Sequence, residues 1–164
     1  MLPANAATPL SAGRAQMTSE QSWWQTKSLA EMSQPEWESL CDGCGKCCLV
    51  KLQDYDNDDI YFTNVTCELL DTESCQCSDY AGRHAIVTDC IKLDRNNINE
   101  ISWLPQSCSY RLLDAGLPLP EWHHLRSGDR QTLHSYGASL RGKVISERFV
   151  HDDDIEDHII KWID

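Results

Sequence analysis

The chain has no apolar run approaching the roughly 18 residues that a bilayer-spanning helix needs. Its first twenty residues, MLPANAATPLSAGRAQMTSE, are broken by Pro, Gly, Asn and Arg where a secretory signal would carry an unbroken apolar centre. No membrane association is therefore expected, and the chain is expected to stay in the cytoplasm. Basic residues are scarce: 14 Lys and Arg stand against 26 acids, for a formal charge of −12. No stripe of Lys and Arg could neutralise phosphates, so nucleic acid is not an expected partner; a protein partner stays open. Also missing are a Ser/His/Asp order, a phosphate loop and a dinucleotide fingerprint. No reaction is assigned, and a non-enzymatic role is expected. Asp54, Asp56 and Asp58 imitate the start of a calcium loop, but its sixth position is Asp59 instead of Gly and its twelfth is Val65 instead of Glu. Calcium is rejected there.

Only two Phe are present, yet 164 residues with 41% apolar content suffice for one modest core. Residues 1–20 are rich in Ala, Ser, Pro and Gly without an apolar period, which predicts a disordered extension before a single domain over 21–164, with Met17 as a candidate start. Trp23, Trp24, Leu29, Met32, Trp37 and Leu40 recur at spacings that suit one side of a helix. Ser33-x-x-Glu36 with Pro35 predicts a short helix over 34–40. The run IYFTNV (60–65) predicts a strand, 67–90 an irregular loop, and 103–113 a helix after Pro105. A further helix is expected to open at Pro120, a strand to run over 143–150, and an amphipathic helix over 152–163 with acids in its first turn. The fold class expected is α+β, small and irregular, with short helices and few strands around cysteine loops.

What the chain has in abundance is cysteine. Nine thiols cannot all pair as intramolecular disulfides, and in a reducing compartment clustered thiols read as ligands or redox groups. Cys41, Cys44, Cys47 and Cys48 form C-x2-C-x2-C-C, with Gly43 and Gly45 permitting a tight turn. Spacings of two let a turning backbone aim sulfurs at a common centre, as in zinc knuckles and cubane-binding loops. Adjacent cysteines diverge, so Cys47 and Cys48 are not expected to serve one ion equally. Cys67, Cys75, Cys77, Cys90 and Cys108 are further candidates, enough for two four-thiol sites with one over, or one site plus buried thiols. Cys108, isolated in the predicted helix, has equal claims as ligand and as packing residue. Zinc and an iron–sulfur cluster both accept four thiolates, so the cofactor stays undecided between them. The alternative is a thiol–disulfide oxidoreductase using the C-x-x-C frames. That chemistry wants a helix after the motif, whereas here one precedes it. His123, His124, His134, His151 and His158 lack metal spacing and are read as surface or satisfied core residues.

The segments WESLCDGCGKCCL (37–49), IYFTNVTC (60–67), CQCSDY with Arg83, DCIKL (89–93), WLPQSCSYRLL (103–113) and LPEWHHLRSG (119–128) resemble the YcgN-type bacterial cysteine-cluster proteins. These are part of a wider group of zinc- or iron-chelating CxxCxxCC domains. The likeness spans about Trp23 to Trp162. It implies metal chelation without an assigned reaction, and places the family's cysteines on all nine positions: Cys41, Cys44, Cys47, Cys48, Cys67, Cys75, Cys77, Cys90 and Cys108. The departures are the long lead-in and His124, where a Pro is usual.

Overall fold

The computed structural model describes residues 22–163; the predicted extension over 1–20 lies outside the described residues. The chain opens with helix α1 (Trp23–Thr26), a 3-10 turn (Leu29–Glu31) and helix α2 (Gln34–Ser39). Each begins on a serine because its first amide protons lack helical partners and a side-chain oxygen nearby supplies one. At α2 the box is reciprocal: Ser33 Oγ accepts from Glu36 N–H at 3.4 Å, and Glu36 Oε2 accepts from Ser33 N–H at 2.7 Å. Lys27, 2.6 Å from Glu36, is the largest influence holding that carboxyl down at about 2.

These short pieces bury Leu29, Met32, Trp37 and Leu40 against Ile98, Leu104 and Tyr110, forming one hydrophobic cluster. Arg95 ties it together, donating to Leu29 O at 3.2 Å and Met32 O at 2.9 Å while its guanidinium lies over the Trp37 ring. A second cluster holds Leu49, Leu70, Cys75 and Leu140. It lies under a three-stranded sheet of order β1 (Leu49–Gln53), β2 (Ile60–Thr66) and β3 (Ile145–Ser146). β1 runs antiparallel to β2 with an irregular register between Leu49 and Lys51; β3 runs parallel to β2. Thr63, fully buried at that irregularity, donates its hydroxyl to Val50 O at 2.8 Å, so the interrupted ladder keeps its acceptor satisfied.

The remaining elements are helices α3 (Arg83–Ile86), α4 (Ser109–Asp114), α5 (His124–Ser127) and α6 (Thr132–Ser135), with 3-10 turns between them. This is the small irregular α+β architecture expected. Several boundaries differ from expectation. The helix expected over 103–113 starts only at Ser109, because Pro105 O accepts from Cys108 N–H in a turn. The helix expected at Pro120 begins at His124, after a turn in which Pro120 O accepts from His123 N–H. The strand expected over 143–150 is two residues long: Ser146 Oγ accepts from Arg148 N–H and opens a 3-10 turn. The helix expected over 152–163 is a 3-10 stretch, Asp152–His158, ended where Ile159 bridges Thr63 and Ile160 N–H donates to Phe62 O. Among the described residues no helix is long and apolar enough to cross a membrane.

Candidate metal centre

The cysteine loop starts from a helix end that is fixed by buried groups. The last carbonyls of a helix have no intrahelical partner. In α2 the Trp37 carbonyl accepts from the Tyr110 hydroxyl at 3.0 Å, and Leu40 O lies 2.9 Å from His123 Nε2. His123 Nδ1 accepts from Leu125 N–H at 3.1 Å, which assigns the ring proton to Nε2 and makes it the donor to Leu40. Burial lowers the pKa of this imidazole, consistent with a neutral ring. His123 is thus a satisfied core histidine, and Cys41 leaves a helix terminus that cannot swing.

The loop then turns on specific conformations. Asp42, 9% exposed, accepts Cys44 N–H on Oδ1 at 3.0 Å. Gly43 and Gly45 both sit at φ 81°, which an L side chain resists. A Cβ at Gly45 would also stand 3.3 Å from Leu140 Cδ1 and 3.4 Å from Leu70 Cδ2. Cys44 O accepts from Leu140 N–H at 3.1 Å, and Gly45 O accepts from Cys48 N–H at 2.8 Å to close the 3-10 turn Lys46–Cys48. The adjacent Cys47 and Cys48 face opposite cores, one packed on the α2 cluster and the other on the sheet cluster, with their sulfurs still 3.9 Å apart.

The thiols fall into two sets by their electrostatic influence on one another. Cys47 links the first, its charge acting on Cys41, Cys44 and Cys108. Cys108 precedes α4, whose Tyr110 caps α2, so one element both fixes the loop and delivers this sulfur. Burial is the main cause that raises Cys108 to about 11 and Cys41, an exposed residue whose sulfur is nonetheless crowded by protein, to about 12. Charge on Cys47 adds to both. Cys44 is pushed well up by burial, then by Asp42, Cys47 and Cys41. Cys47 is pushed well up by its contact with Cys48 and then by burial. Each thiol lies in the field of its neighbours, so ionising all four needs a cation. The shift is also opposite to what an exchange-reactive thiol requires.

The second group is Cys67, Cys77 and Cys90, with Cys48 adjoining. Sheet pairing sets Cys67 beside Cys48, its N–H donating to Cys48 O at 2.9 Å. Cys77 is set beside Leu70 by an isolated antiparallel bridge, and Leu69 N–H points at Cys67 Sγ at 3.5 Å. Cys67 and Cys90 are raised chiefly by burial, with Cys77 and one another as minor contributors at Cys67 and Cys47 and Cys77 at Cys90. Cys75 stands apart. It is 3% exposed inside the sheet cluster, adopts φ 57°, and is raised by burial, with no thiol among the main influences on it.

The chemistry of this donor set fits a thiophilic metal. Among the described residues, however, no three Cys, His, Asp or Glu side chains converge as a ready coordination sphere; the fit lies in the kind and grouping of donors. Buried polar atoms without partners are Ser109 Oγ, next in sequence to Cys108, and both ring nitrogens of His124, which stacks on His123. Burial takes His124 down to about 4. Sequence reasoning missed Tyr110 and Asp42 as the groups that anchor and shape the cysteine loop. Only Asp42, inside the motif, carried a local signal.

Residues 40–109 match the family model "CxxCxxCC: Putative zinc- or iron-chelating domain". A UPF0260 protein of Rhizobium etli (strain CIAT 652) is 53% identical over 140 residues, 85% of this chain and 89% of that protein. One from Pseudomonas putida KT2440 is 53% identical over 138 residues, 84% and 92% of the two chains, and one from Cellvibrio japonicus Ueda107 is 48% identical over 147 residues, 90% and 100%. No solved structure matches the chain. At about half identity over most of both lengths, this protein belongs to the UPF0260 family.

Proposed function

We propose that this is a metal-binding protein that holds zinc or an iron–sulfur centre through thiolates, with Cys41, Cys44, Cys47 and Cys108 as the principal ligands. The observation that carries the reading is a loop bearing Cys41, Cys44 and Cys47, anchored by Tyr110 and His123, with Cys108 at the start of the helix that supplies Tyr110 and with Cys47 an influence on the other three thiols. The match of residues 40–109 to a zinc- or iron-chelating domain supports it. A divalent ion bound by four thiolates would offset the burial that chiefly raises these thiols and the lesser repulsion between them. Cys48, Cys67, Cys77 and Cys90 are the candidates for a second site, and Cys75 is a packing thiol. The protein is proposed to work in the cytoplasm, where its thiols stay reduced, with nucleic acid excluded by its acidity.

The test is anaerobic purification followed by elemental analysis, acid-labile sulfide determination and a visible spectrum. A brown protein with iron and sulfide identifies a cluster, and a colourless one with stoichiometric zinc identifies a zinc site. A folded, metal-free protein sinks the proposal.

A further inference from the structure

Lys51 is a half-buried cation with no carboxylate within ion-pair distance among the described residues. It lies on β1, where the irregular register beside Thr63 lets its side chain turn back along the chain. Its Nζ donates to Cys47 O at 2.9 Å and to Leu49 O at 2.7 Å, and lies 4.0 Å from the centre of the Trp103 ring and 5.4 Å from that of Phe62. Carbonyl oxygens and aromatic faces favour a cation but carry no net charge. Among the described residues no Asp or Glu lies within ion-pair distance of Lys51. An ammonium withdrawn from water without an anion is unfavourable. The two carbonyl bonds set the ammonium beside the Cys47–Cys48 pair, whose sulfurs lie 3.9 Å apart, and the charges of these thiols act on it more than exposed Asp89 does.

Resting on the metal-binding reading, we propose that Lys51 is the built-in counter-charge of the thiolate centre, a positioning residue that touches no metal and offsets the negative charge that four thiolates leave around a divalent ion. Its place suits this: Trp103 belongs to the edge of the α2 cluster and Phe62 to that of the sheet cluster, so the ammonium is held at the seam where Cys47 and Cys48 diverge. One cation there serves sulfurs on both sides. The two carbonyl bonds hold the charge in place before metal arrives, so no reorganisation is needed on binding.

The experiment compares the full-length wild type with Lys51→Met, Lys51→Gln and Lys51→Arg, reduced and anaerobic, using zinc as the probe. Gln keeps donors for the two carbonyls but not the charge, Arg keeps the charge, and Met keeps the apolar stem. Retention against a chromophoric chelator, and the pH at which zinc is released, are read together with far-UV spectra of the metal-free proteins. The expected result is zinc held about tenfold or more weakly by Gln and Met, with release beginning at higher pH, and recovery by Arg. Retention by Gln within twofold of wild type overturns the proposal, because hydrogen bonding alone would then suffice. If Met does not fold, the Gln–Arg pair decides: equal retention overturns the proposal, and weaker retention by Gln supports it. A wild type that binds no zinc and carries no other metal defeats the underlying metal reading instead.

Discussion

The loops 41–48 and 67–90 carry four cysteines each, and the structure treats them differently. The first is clamped at its entry by buried Tyr110 and His123 and at its middle by Leu140 N–H, and its adjacent Cys47 and Cys48 sulfurs lie 3.9 Å apart. The second is tied to the sheet edge by the Leu70–Cys77 bridge and the Cys67 N–H bond to Cys48 O, and buries Cys75 in the sheet cluster. Equal thiol counts thus sit on differently built supports, one held by buried side chains and the other by backbone bridges.

The widest separation between the two loops is expected on removing a sulfur. Cys44→Ser, Cys47→Ser and Cys108→Ser should each abolish metal retention at the first group and destabilise its loop, since metal-binding free energy in structural thiolate sites is on the order of 10 kcal/mol and coupled to folding. Cys75→Ala should keep all metal and cost about 1–3 kcal/mol, as a small core change. Elemental analysis and urea unfolding of the single variants check both; a Cys108→Ser protein with full metal would dissolve the first group as drawn here.

A smaller effect isolates the clamp from the ligands. Tyr110→Phe removes the donor to Trp37 O at the buried end of α2, and should lower stability by about 1–3 kcal/mol without lowering metal stoichiometry. Thermal melts of the metal-loaded and metal-free forms measure it. A loss of metal with no loss of stability would mean that Tyr110 acts on the site directly.

The pH dependence should also distinguish the loops. Cys41 and Cys108 have folded-state values raised to about 12 and about 11 by burial, so their contribution to metal-free stability is fully present below the unfolded thiol value near 8.5 and is lost as pH rises through the folded values. Metal-free wild type should thus weaken from pH 8.5 upward in urea titrations, and the Cys41→Ser/Cys108→Ser double variant should weaken less. The metal-loaded form runs the opposite way, releasing its ion as pH falls. The mildest effect is expected at His124, lowered to about 4 by burial, whose contribution is present above about pH 6.5 and lost toward acid. His124→Gln should flatten the stability profile between those values; an unchanged acid limb would place the ring in water.

Local chemistry made some of this legible. The α2 helix was readable because Ser33, Pro35 and Glu36 complete a cap within four residues. The strand from Ile60 was readable from its β-branched and aromatic run. The segment after Asp152 was not, because its apolar spacing suits a helix while its end is captured by Thr63 and Phe62, some ninety residues away in sequence. The directions of Cys75 and Cys77 were not legible for a related reason. A C-x-C pair in extended chain shares one side, but the left-handed backbone at Cys75, in a turn whose Asp71 O accepts Cys75 N–H, sends that thiol into the core.

The sequence by itself determined that thiols dominate this protein's chemistry and that its first cysteine block begins at a helix end, because density, spacing and caps are local properties of the chain. Only the tertiary structure placed Cys108 at the start of the helix whose Tyr110 holds the end of α2, buried Cys75 in the sheet cluster, and set the Lys51 ammonium over the Trp103 ring. Those relations depend on packing between residues far apart in the chain, which no window of sequence contains.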